Sequence, residues 1–327
     1  MGLFTPLDLP GAARIGARYG LSITGLCGLP EGGMNTNVVC SLSGGGRVFL
    51  RVYEHLDMDA AAMEHRLIEH LARGGVPVAR PLLRASGDEP RSLTTHAGKP
   101  AAVFPWVDGE TLCRRRATEA DVEKAGEALA KVHLAGADFR EIGAGRFRPE
   151  DLLSRLAGLR GDESLGEGAG AAVERLWTAL GAHVERAAGL PRAESVLVHG
   201  DLFRANVLFR GGEIAAIVDF ECACRGAATF DIAVTLLAWC YGDALQQGPA
   251  RALFRGYQRV RPLSGADLER LHEDAVHAAL RFSVTRLTDY HVAHGEAGAY
   301  RDYRRFLHRL SAIVDMGPAG LRAFLGL

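Results

Sequence analysis

Apolar residues in short runs predict a strand-rich first third of the chain. Residues 24–29, 38–42 and 47–53 are such runs, and several of their residues are β-branched or aromatic. EGGMNTN at 31–37 separates the first two runs, and a triple glycine at 44–46 separates the last two. Apolar runs joined by glycine-containing turns are typical of antiparallel hairpins, so we expect three neighbouring strands.

The period of the pattern changes to that of an α-helix at residues 59–73 and again after residue 105. An apolar stripe in the first of these segments ends at Gly74-Gly75, a common helix stop. Extended residues at 76–83 and strand residues at 94–104 follow. Further helices are predicted at roughly 118–135, 150–158, 169–188, 229–242, 246–258, 265–290 and 297–315. The pattern therefore indicates a strand-rich N-terminal lobe, residues 1–104, and a larger helical lobe, residues 105–327.

Four polar side chains interrupt the apolar stretch VLVHGDLFRANVLF at residues 196–209. They are His199, Asp201, Arg204 and Asn206, and the flanking residues on both sides indicate buried strands. A further acid, Asp219, directly follows the apolar run of the next predicted strand. A carboxylate at the end of a buried strand is unfavourable unless it is paired or binds a metal.

Oxygen-bearing side chains at this spacing favour a phosphoryl-transfer site over a solvated loop. Magnesium takes hard oxygen ligands, usually one or two carboxylates together with substrate phosphates. Phosphoryl transfer needs that metal and a carboxylate that orients the attacking hydroxyl. The sequence supplies both kinds of group, since Asp201, Asn206 and Asp219 all lie next to apolar strands.

Composition narrows the classes of function. The chain has 327 residues, 48% of them hydrophobic, and a net charge of −1, so no global field favours nucleic acid or an anionic membrane surface. No apolar run has the ~18 residues of a membrane span, and no secretory signal is evident. Six scattered cysteines without a C-x-x-C motif suit a reducing compartment. We expect a cytoplasmic protein without nucleic-acid or membrane partners, and a homodimer stays open.

The polar motif resembles a known family. H-G-D-x4-N followed by I-V-D-F resembles the catalytic loop and metal-binding segment of the aminoglycoside phosphotransferase-like kinases, which are related to protein kinases. Within that family the chain is most similar to type II homoserine kinases. The similarity extends to residues 4–21, 32–37, 199–209, 218–240 and 279–291, which spans nearly the whole chain.

The resemblance implies an α+β, bilobal protein-kinase-like fold that binds ATP and Mg²⁺. It makes Asp201 the catalytic base in contact with the substrate, and Asn206 and Asp219 the ligands of Mg²⁺. His199 would brace the loop through Asp219 or a backbone carbonyl. The implied reaction is ATP-dependent phosphorylation of a hydroxyl on a small molecule, with L-homoserine as the best match.

Candidate nucleotide-binding residues lie in the N-terminal lobe and at its boundary. Backbone N–H groups of the glycine-containing turn could approach phosphates. Arg51 stands where relatives carry a phosphate-binding Lys; Glu64 is its expected ion-pair partner, with Glu69 as the rival. The strand at the boundary would bind adenine through its backbone. The full set is Gly32, Gly33, Asn35, Thr36, Asn37, Arg51, Glu64, Phe104, Trp106 and Val107. A plain hairpin, an outward-facing Arg51 and a core role for Phe104 are the structural alternatives.

Candidate substrate contacts lie on both sides of the motif. Arg204 could neutralise the transferring phosphate, bind a substrate carboxylate or act as a structural brace. Glu221 could contact a substrate amino group. A homoserine-like substrate needs an arginine for its carboxylate, and we favour Arg281 over Arg286 on the helix 275–290, against the alternative of a solvated helix face.

One further acid, Asp231, stands at the start of a predicted helix. Its expected role is that of an N-cap. The resemblance adds that the equivalent residue of relatives braces the catalytic loop.

Two alternatives to homoserine phosphorylation remain at this point. One is a kinase for another hydroxylated amine, such as an aminoglycoside, choline or a specialised metabolite, because HGD and ECACRG depart from the homoserine kinase pattern. The other is a catalytically silent nucleotide-binding scaffold. The presence of Asp201, Asn206 and Asp219 argues against a scaffold, and only Arg51 in place of Lys favours it.

Overall fold

The computed structural model describes residues 5–29, 35–85, 91–293 and 301–327. The chain divides into two units. The first comprises Met1–Glu110 with Leu208–Glu221, and the second comprises Thr111–Val207 with Cys222–Leu327. The first unit is built on a β-sheet and the second is mostly helical, which confirms the predicted α+β class.

A five-stranded antiparallel sheet forms the centre of the first unit, with strand order β1-β2-β3-β5-β4. Two helices accompany it. The elements are α1 (Leu9–Arg18), β1 (Ile23–Gly28), β2 (Thr36–Leu42), β3 (Arg47–Val52), α2 (Met58–Arg73), β4 (Thr94–His96) and β5 (Lys99–Pro105). The three strands expected between residues 24 and 53 and the helix expected at 59–73 are confirmed.

Helix α1 was not predicted, although local signals for it exist. Asp8 is its N-cap and accepts a hydrogen bond from the Gly11 amide at 2.8 Å. Ala12 and Ile15 are buried with the sheet residues Val38 and Leu50 in one apolar cluster. Two glycines and a proline in ten residues lower the helix propensity, so packing on the sheet stabilises this helix more than its own sequence does.

A second, three-stranded sheet has the order β6-β8-β9. Its strands are β6 (Glu110–Thr111), β8 (Val207–Arg210) and β9 (Glu213–Ile217). The Ile217 amide donates to the Pro77 carbonyl at 2.7 Å, and Val78 forms a parallel bridge with Ile217. These bonds hold the segment that leads to Asp219 in the first unit.

The second unit consists of helices around a short two-stranded ribbon. The ribbon pairs β7 (Ser195–Val198) with β10 (Cys224–Ala227) in antiparallel register. The helices are α3 (Glu119–Ala135), α4 (Pro149–Ala157), α5 (Gly166–Ala188), α6 (Ala228–Trp239), α7 (Gln247–Val260), α8 (Gly265–Arg286) and α9 (Arg304–Leu325). A π-helical turn, Leu287–Val292, continues α8. The helix expected at 297–315 is wrong in its bounds, because α9 begins later and extends to Leu325.

The core of the second unit lies around α6, a helix that is almost entirely buried. Helices α3 and α7 approach closely because residue 126 is glycine: an added Cβ would lie 2.2 Å from the Leu253 carbonyl oxygen. Within the described ranges, no helix combines the length and the apolar character required to cross a membrane.

Candidate functional site: a clamped loop and a charged cluster

Asp231, which lies in α6, holds the loop between β7 and β8 through hydrogen bonds to its backbone, and we call this contact the clamp. This carboxylate accepts hydrogen bonds from the backbone amides of His199 at 2.6 Å and Gly200 at 2.8 Å. Its Oδ2 also lies 3.0 Å from Nε2 of His133, and both side chains are fully buried. Burial opposes ionisation of Asp231, but the hydrogen bond and charge of His133 and the loop amide outweigh it and lower the pKa. An ionised carboxylate therefore fixes the start of the loop.

The predicted N-cap role of Asp231 is wrong, because α6 begins three residues earlier. Ala227 is its N-cap residue and has no capping side chain. Asp231 thus sits in the first turn of the helix with both carboxylate oxygens facing the loop.

Backbone and side-chain hydrogen bonds shape the loop around Asp201. Nδ1 of His199 accepts from the Asp201 amide at 3.2 Å, so the imidazole braces the loop from within. Nδ2 of Asn206 donates to the Asp201 carbonyl at 2.8 Å. Gly200 has φ +76°, and an added Cβ would lie 2.7 Å from the Cys222 carbonyl oxygen. The loop is thus held by hydrogen bonds from its own residues, and its backbone conformation requires glycine at position 200.

Arg204 anchors the far end of the loop. Its Nη1 donates to the carbonyls of Ala238 at 2.7 Å and Trp239 at 3.1 Å, at the C-terminus of α6. Cations are stabilised at a helix C-terminus by the exposed carbonyls. Of the roles left open for Arg204, these contacts favour the structural brace.

Arg281 also contacts the loop, from α8. The residue is 3% exposed, and its Nη1 donates to the Gly200 carbonyl. Its guanidinium lies 4.4 Å from the centre of the Phe147 ring and 4.2 Å from that of Phe282. These contacts place Arg281 against the loop backbone, and its contact with the substrate stays a prediction.

One contact of the loop had no sequence signal. Nε1 of Trp239 donates to the Leu202 carbonyl at 3.0 Å, and Trp239 is buried. A single tryptophan in an apolar helix does not indicate a partner 37 residues away.

In the first unit, Arg51 joins two acids that follow β9. Its Nη1 lies 3.3 Å from Oδ1 of Asp219 and 2.9 Å from Oε1 of Glu221, and its Nε donates to Oδ1 of Asn37 at 3.1 Å. The Asn35 amide also donates to Glu221. Glu221, expected near a substrate amino group, is therefore engaged by Arg51 and Asn35.

Glu64 is not the ion-pair partner of Arg51 that the sequence suggested. Burial and the charge of Glu221 raise the pKa of Glu64 to about 8, although Arg51 acts in the opposite direction. One oxygen of this buried carboxyl has no hydrogen-bond partner among the described residues. Arg51 pairs with two other acids, and the raised pKa of Glu64 favours its protonated form. The rival, Glu69, pairs at the surface with Arg80 at 2.7 Å.

Asp219 adopts a strained backbone conformation. Its φ is +71°, and Ala97 is the other non-glycine residue with positive φ in the described ranges. Such a conformation is unfavourable by roughly 1–3 kcal/mol and often occurs at functional sites. The side chain remains 35% exposed beside Arg51, which leaves carboxylate surface for a ligand.

The other candidate nucleotide-binding residues occupy varied surroundings. Gly32 and Gly33 lie outside the described residues. Asn35, Thr36 and Asn37 are buried where β2 begins, and Oγ1 of Thr36 donates to Glu54 at 2.7 Å. Their nucleotide contacts stay predictions.

The residues expected near adenine differ in burial. Phe104 is a core residue, with its ring centre 6.1 Å from that of Phe49 and 5.5 Å from that of His65. Trp106 donates to Asp108 at 3.0 Å, and Val107 is half-buried. Side-chain packing explains Phe104, and a backbone contact with adenine stays a prediction for all three.

Comparisons with known proteins agree with this arrangement. A sequence model of the phosphotransferase enzyme family matches residues 25–273. A homoserine kinase of Methylocella silvestris is 33% identical over 98% of this chain and 98% of its own length. A homoserine kinase of Rhodopseudomonas palustris is 31% identical over 99% and 97%.

Solved structures with low sequence identity share the fold. An amicoumacin kinase solved with AMP-PNP and Ca²⁺ has a TM-score of 0.72 at 14% identity, covering 93% of each chain. A spectinomycin phosphotransferase solved with ADP and spectinomycin has a TM-score of 0.71 at 11% identity, covering 97% of this chain and all of its own.

Proposed function

Because the chain belongs to the phosphotransferase enzyme family, we propose that it transfers the γ-phosphoryl group of ATP to the hydroxyl of L-homoserine. The observation that carries the substrate is the similarity to homoserine kinases over nearly the full length of both chains. A shared catalytic loop alone would support only the reaction type, since phosphotransferases for other hydroxylated substrates have the same fold.

In this proposal Asp201 orients the substrate hydroxyl and accepts its proton as the phosphoryl group transfers. Catalysis of phosphoryl transfer depends mainly on positioning and electrostatics. The clamp of Asp231 on the loop amides and the bond from Arg281 to the Gly200 carbonyl support such positioning, because both fix the backbone next to Asp201.

Asn206 and Asp219 are the proposed ligands of Mg²⁺, which would neutralise charge on the phosphates of ATP. The donor chemistry fits: with its Nδ2 bonded to the Asp201 carbonyl, Asn206 has an amide oxygen to offer. Asp219 has a partly exposed carboxylate. Amide and carboxylate oxygens are the hard ligands that this ion takes. Arg51, next to Asp219, is proposed to contact the phosphates.

We also propose a cytoplasmic location. All six cysteines are free thiols, and two of them, Cys27 and Cys113, are exposed. Exposed free thiols suit a reducing compartment.

The test is ATP turnover with a panel of acceptors. The purified full chain is assayed with Mg-ATP and L-homoserine, L-threonine, choline or an aminoglycoside, and the phosphate ester is identified by mass spectrometry. We expect L-homoserine to give the highest kcat/KM and a product heavier by one phosphoryl group. A higher kcat/KM with choline or the aminoglycoside would refute L-homoserine as the substrate. No turnover with any acceptor would refute the kinase activity.

A further inference from the structure

Two arginines of the second unit share one aromatic ring near the catalytic loop. The guanidinium carbon of Arg286, at the end of α8, lies 4.4 Å from the centre of the Phe306 ring. That of Arg309, in α9, lies 4.3 Å from the same centre. Arg286 is also 6.0 Å from the Phe203 ring centre, and Phe203 is two residues past Asp201. The pair therefore lies beside the loop that carries the proposed base.

Neither arginine has an acid within ion-pair distance, or a hydrogen bond, among the residues that the structure describes. Nε of Arg309 is buried and has no hydrogen-bond partner within those residues. Burial, and then the charge of Arg309, lower the pKa of Arg286 to about 9, while Asp201 acts in the opposite direction. Burial and the charge of Arg204 lower that of Arg309 to about 10. Both residues are half-buried, and two neighbouring like charges that are partly removed from water are unfavourable unless an anion neutralises them.

Two other arginines of this unit each have at least one backbone carbonyl as a hydrogen-bond partner, although Nε of Arg281 is itself without a partner among the described residues. Arg204 donates to two backbone carbonyls, and Arg281 donates to the Gly200 carbonyl. Stacking on rings contributes only about 0.5–2 kcal/mol per arginine, and it supplies no negative charge to neutralise the two cations. The contrast singles out Arg286 and Arg309 as two neighbouring guanidinium groups that have no hydrogen-bond acceptor among the described residues.

We propose that Arg286, with Arg309 beside it, binds the carboxylate of the amino-acid substrate. A guanidinium fork matches a carboxylate with two parallel hydrogen bonds. Because Arg286 lies beside the ring of Phe203, two residues past Asp201, a short amino acid held at its carboxylate would present its hydroxyl to that base. This inference rests on the proposed function and gives the carboxylate contact, expected at Arg281, to Arg286.

The experiment pairs one enzyme variant with one substrate variant. Wild type and Arg286→Gln are assayed with L-homoserine and with L-homoserinamide, which replaces the carboxylate by a neutral amide. We expect Arg286→Gln to lower kcat/KM for L-homoserine by roughly 10–100-fold, mainly through KM, and to leave kcat/KM for the amide within a few-fold. Arg286→Lys keeps the charge and loses the forked guanidinium. Its kcat/KM for L-homoserine should lie between those of the wild type and Arg286→Gln.

The matched control is Arg305→Gln, which removes the same charge from an exposed position of α9. This control should leave kcat/KM unchanged for both L-homoserine and L-homoserinamide. A purely structural role of Arg286 would lower the melting temperature of the free protein. We instead expect Arg286→Gln to melt no lower than the control and to lose the rise in melting temperature that L-homoserine gives to the wild type.

The outcomes separate this inference from the proposed function. One outcome is that the wild type phosphorylates L-homoserine while Arg286→Gln lowers kcat/KM equally for L-homoserine and L-homoserinamide, or for neither. In that case the carboxylate assignment is wrong and the function stands. If the wild type shows no turnover of L-homoserine, the proposed function fails and this inference with it.

Discussion

Replacement of Asp231 by Asn tests the clamp on the loop that carries Asp201. The change keeps the shape of the side chain and removes its charge. Three donors face the wild-type carboxylate, namely the amides of His199 and Gly200 and the ring of His133, at 2.6–3.0 Å. An Asn side chain has one acceptor oxygen, and its NH₂ group would face a donor.

The expected loss of stability is large. Hydrogen bonds to a charged group contribute about 1.5–3 kcal/mol each, and removing one partner of a buried charged network is unfavourable by about 3–5 kcal/mol. We expect the free energy of unfolding of Asp231→Asn to fall by about 3–5 kcal/mol, out of the ~5–15 kcal/mol typical of a domain. The freed amides also displace Asp201, so kcat should fall by ~100-fold, as a misplacement of about 1 Å can do.

Urea unfolding and steady-state kinetics measure the two effects. The control is Asp315→Asn, at an exposed position of α9. It should change the free energy of unfolding and kcat only slightly. The pKa of Asp231 is lowered in the folded state, so its stabilisation is present above the ordinary pKa of ~3.9 and is lost as pH falls through the folded value. Asp231→Asn should weaken this loss at acid pH. A variant within 1 kcal/mol of wild type and with unchanged kcat would refute the clamp.

Three further changes test other parts of the structure. The pKa of Glu64 is ~4.3 in the unfolded chain and about 8 in the folded protein, so folding takes up a proton at any pH between these values. The free energy of unfolding of the wild type should therefore fall as pH rises through that range. Glu64→Gln should remove that slope in urea midpoints measured across it, and an unchanged slope would contradict a protonated Glu64. Gly200→Ala places a Cβ 2.7 Å from the Cys222 carbonyl oxygen and should lower kcat more than 10-fold; wild-type kcat would exclude a strict need for glycine. Gly126→Ala meets the Leu253 carbonyl oxygen and should lower the free energy of unfolding by ~1–3 kcal/mol with little effect on KM, whereas an unchanged melting temperature would show that α3 and α7 can separate without penalty.

Periodicity located most elements, and its failures have physical causes. Strands β1 to β3 and helix α2 follow directly from apolar runs and glycine stops. Helix α1 escaped prediction because its glycines and proline hide a helix that the sheet stabilises. A local pattern also gave no sign that residues 208–221 belong with the first unit, because the hydrogen bond from Ile217 to the Pro77 carbonyl spans 140 residues.

The candidate site shows the same division between local and distant information. Sequence spacing could place Asp201 and Asn206 in one loop, because those residues are neighbours in sequence, and the structure holds them together by a hydrogen bond from Asn206 to the Asp201 carbonyl. The partners of Arg51 could not be found this way, since Asp219 and Glu221 follow it by 168 and 170 residues. Helical position also does not show that the guanidinium of Arg281 donates to the Gly200 carbonyl, 81 residues away in sequence.

The proposed kinase activity is tested most directly by assaying Asp201→Asn with Mg-ATP and L-homoserine. We expect the wild type to form the phosphate ester with one ADP per product. The variant should lose about 10²–10⁴-fold in kcat and still bind Mg-ATP with a Kd within a few-fold of wild type. Wild-type kcat in Asp201→Asn would contradict the assignment of Asp201 as the base on which the proposed mechanism depends.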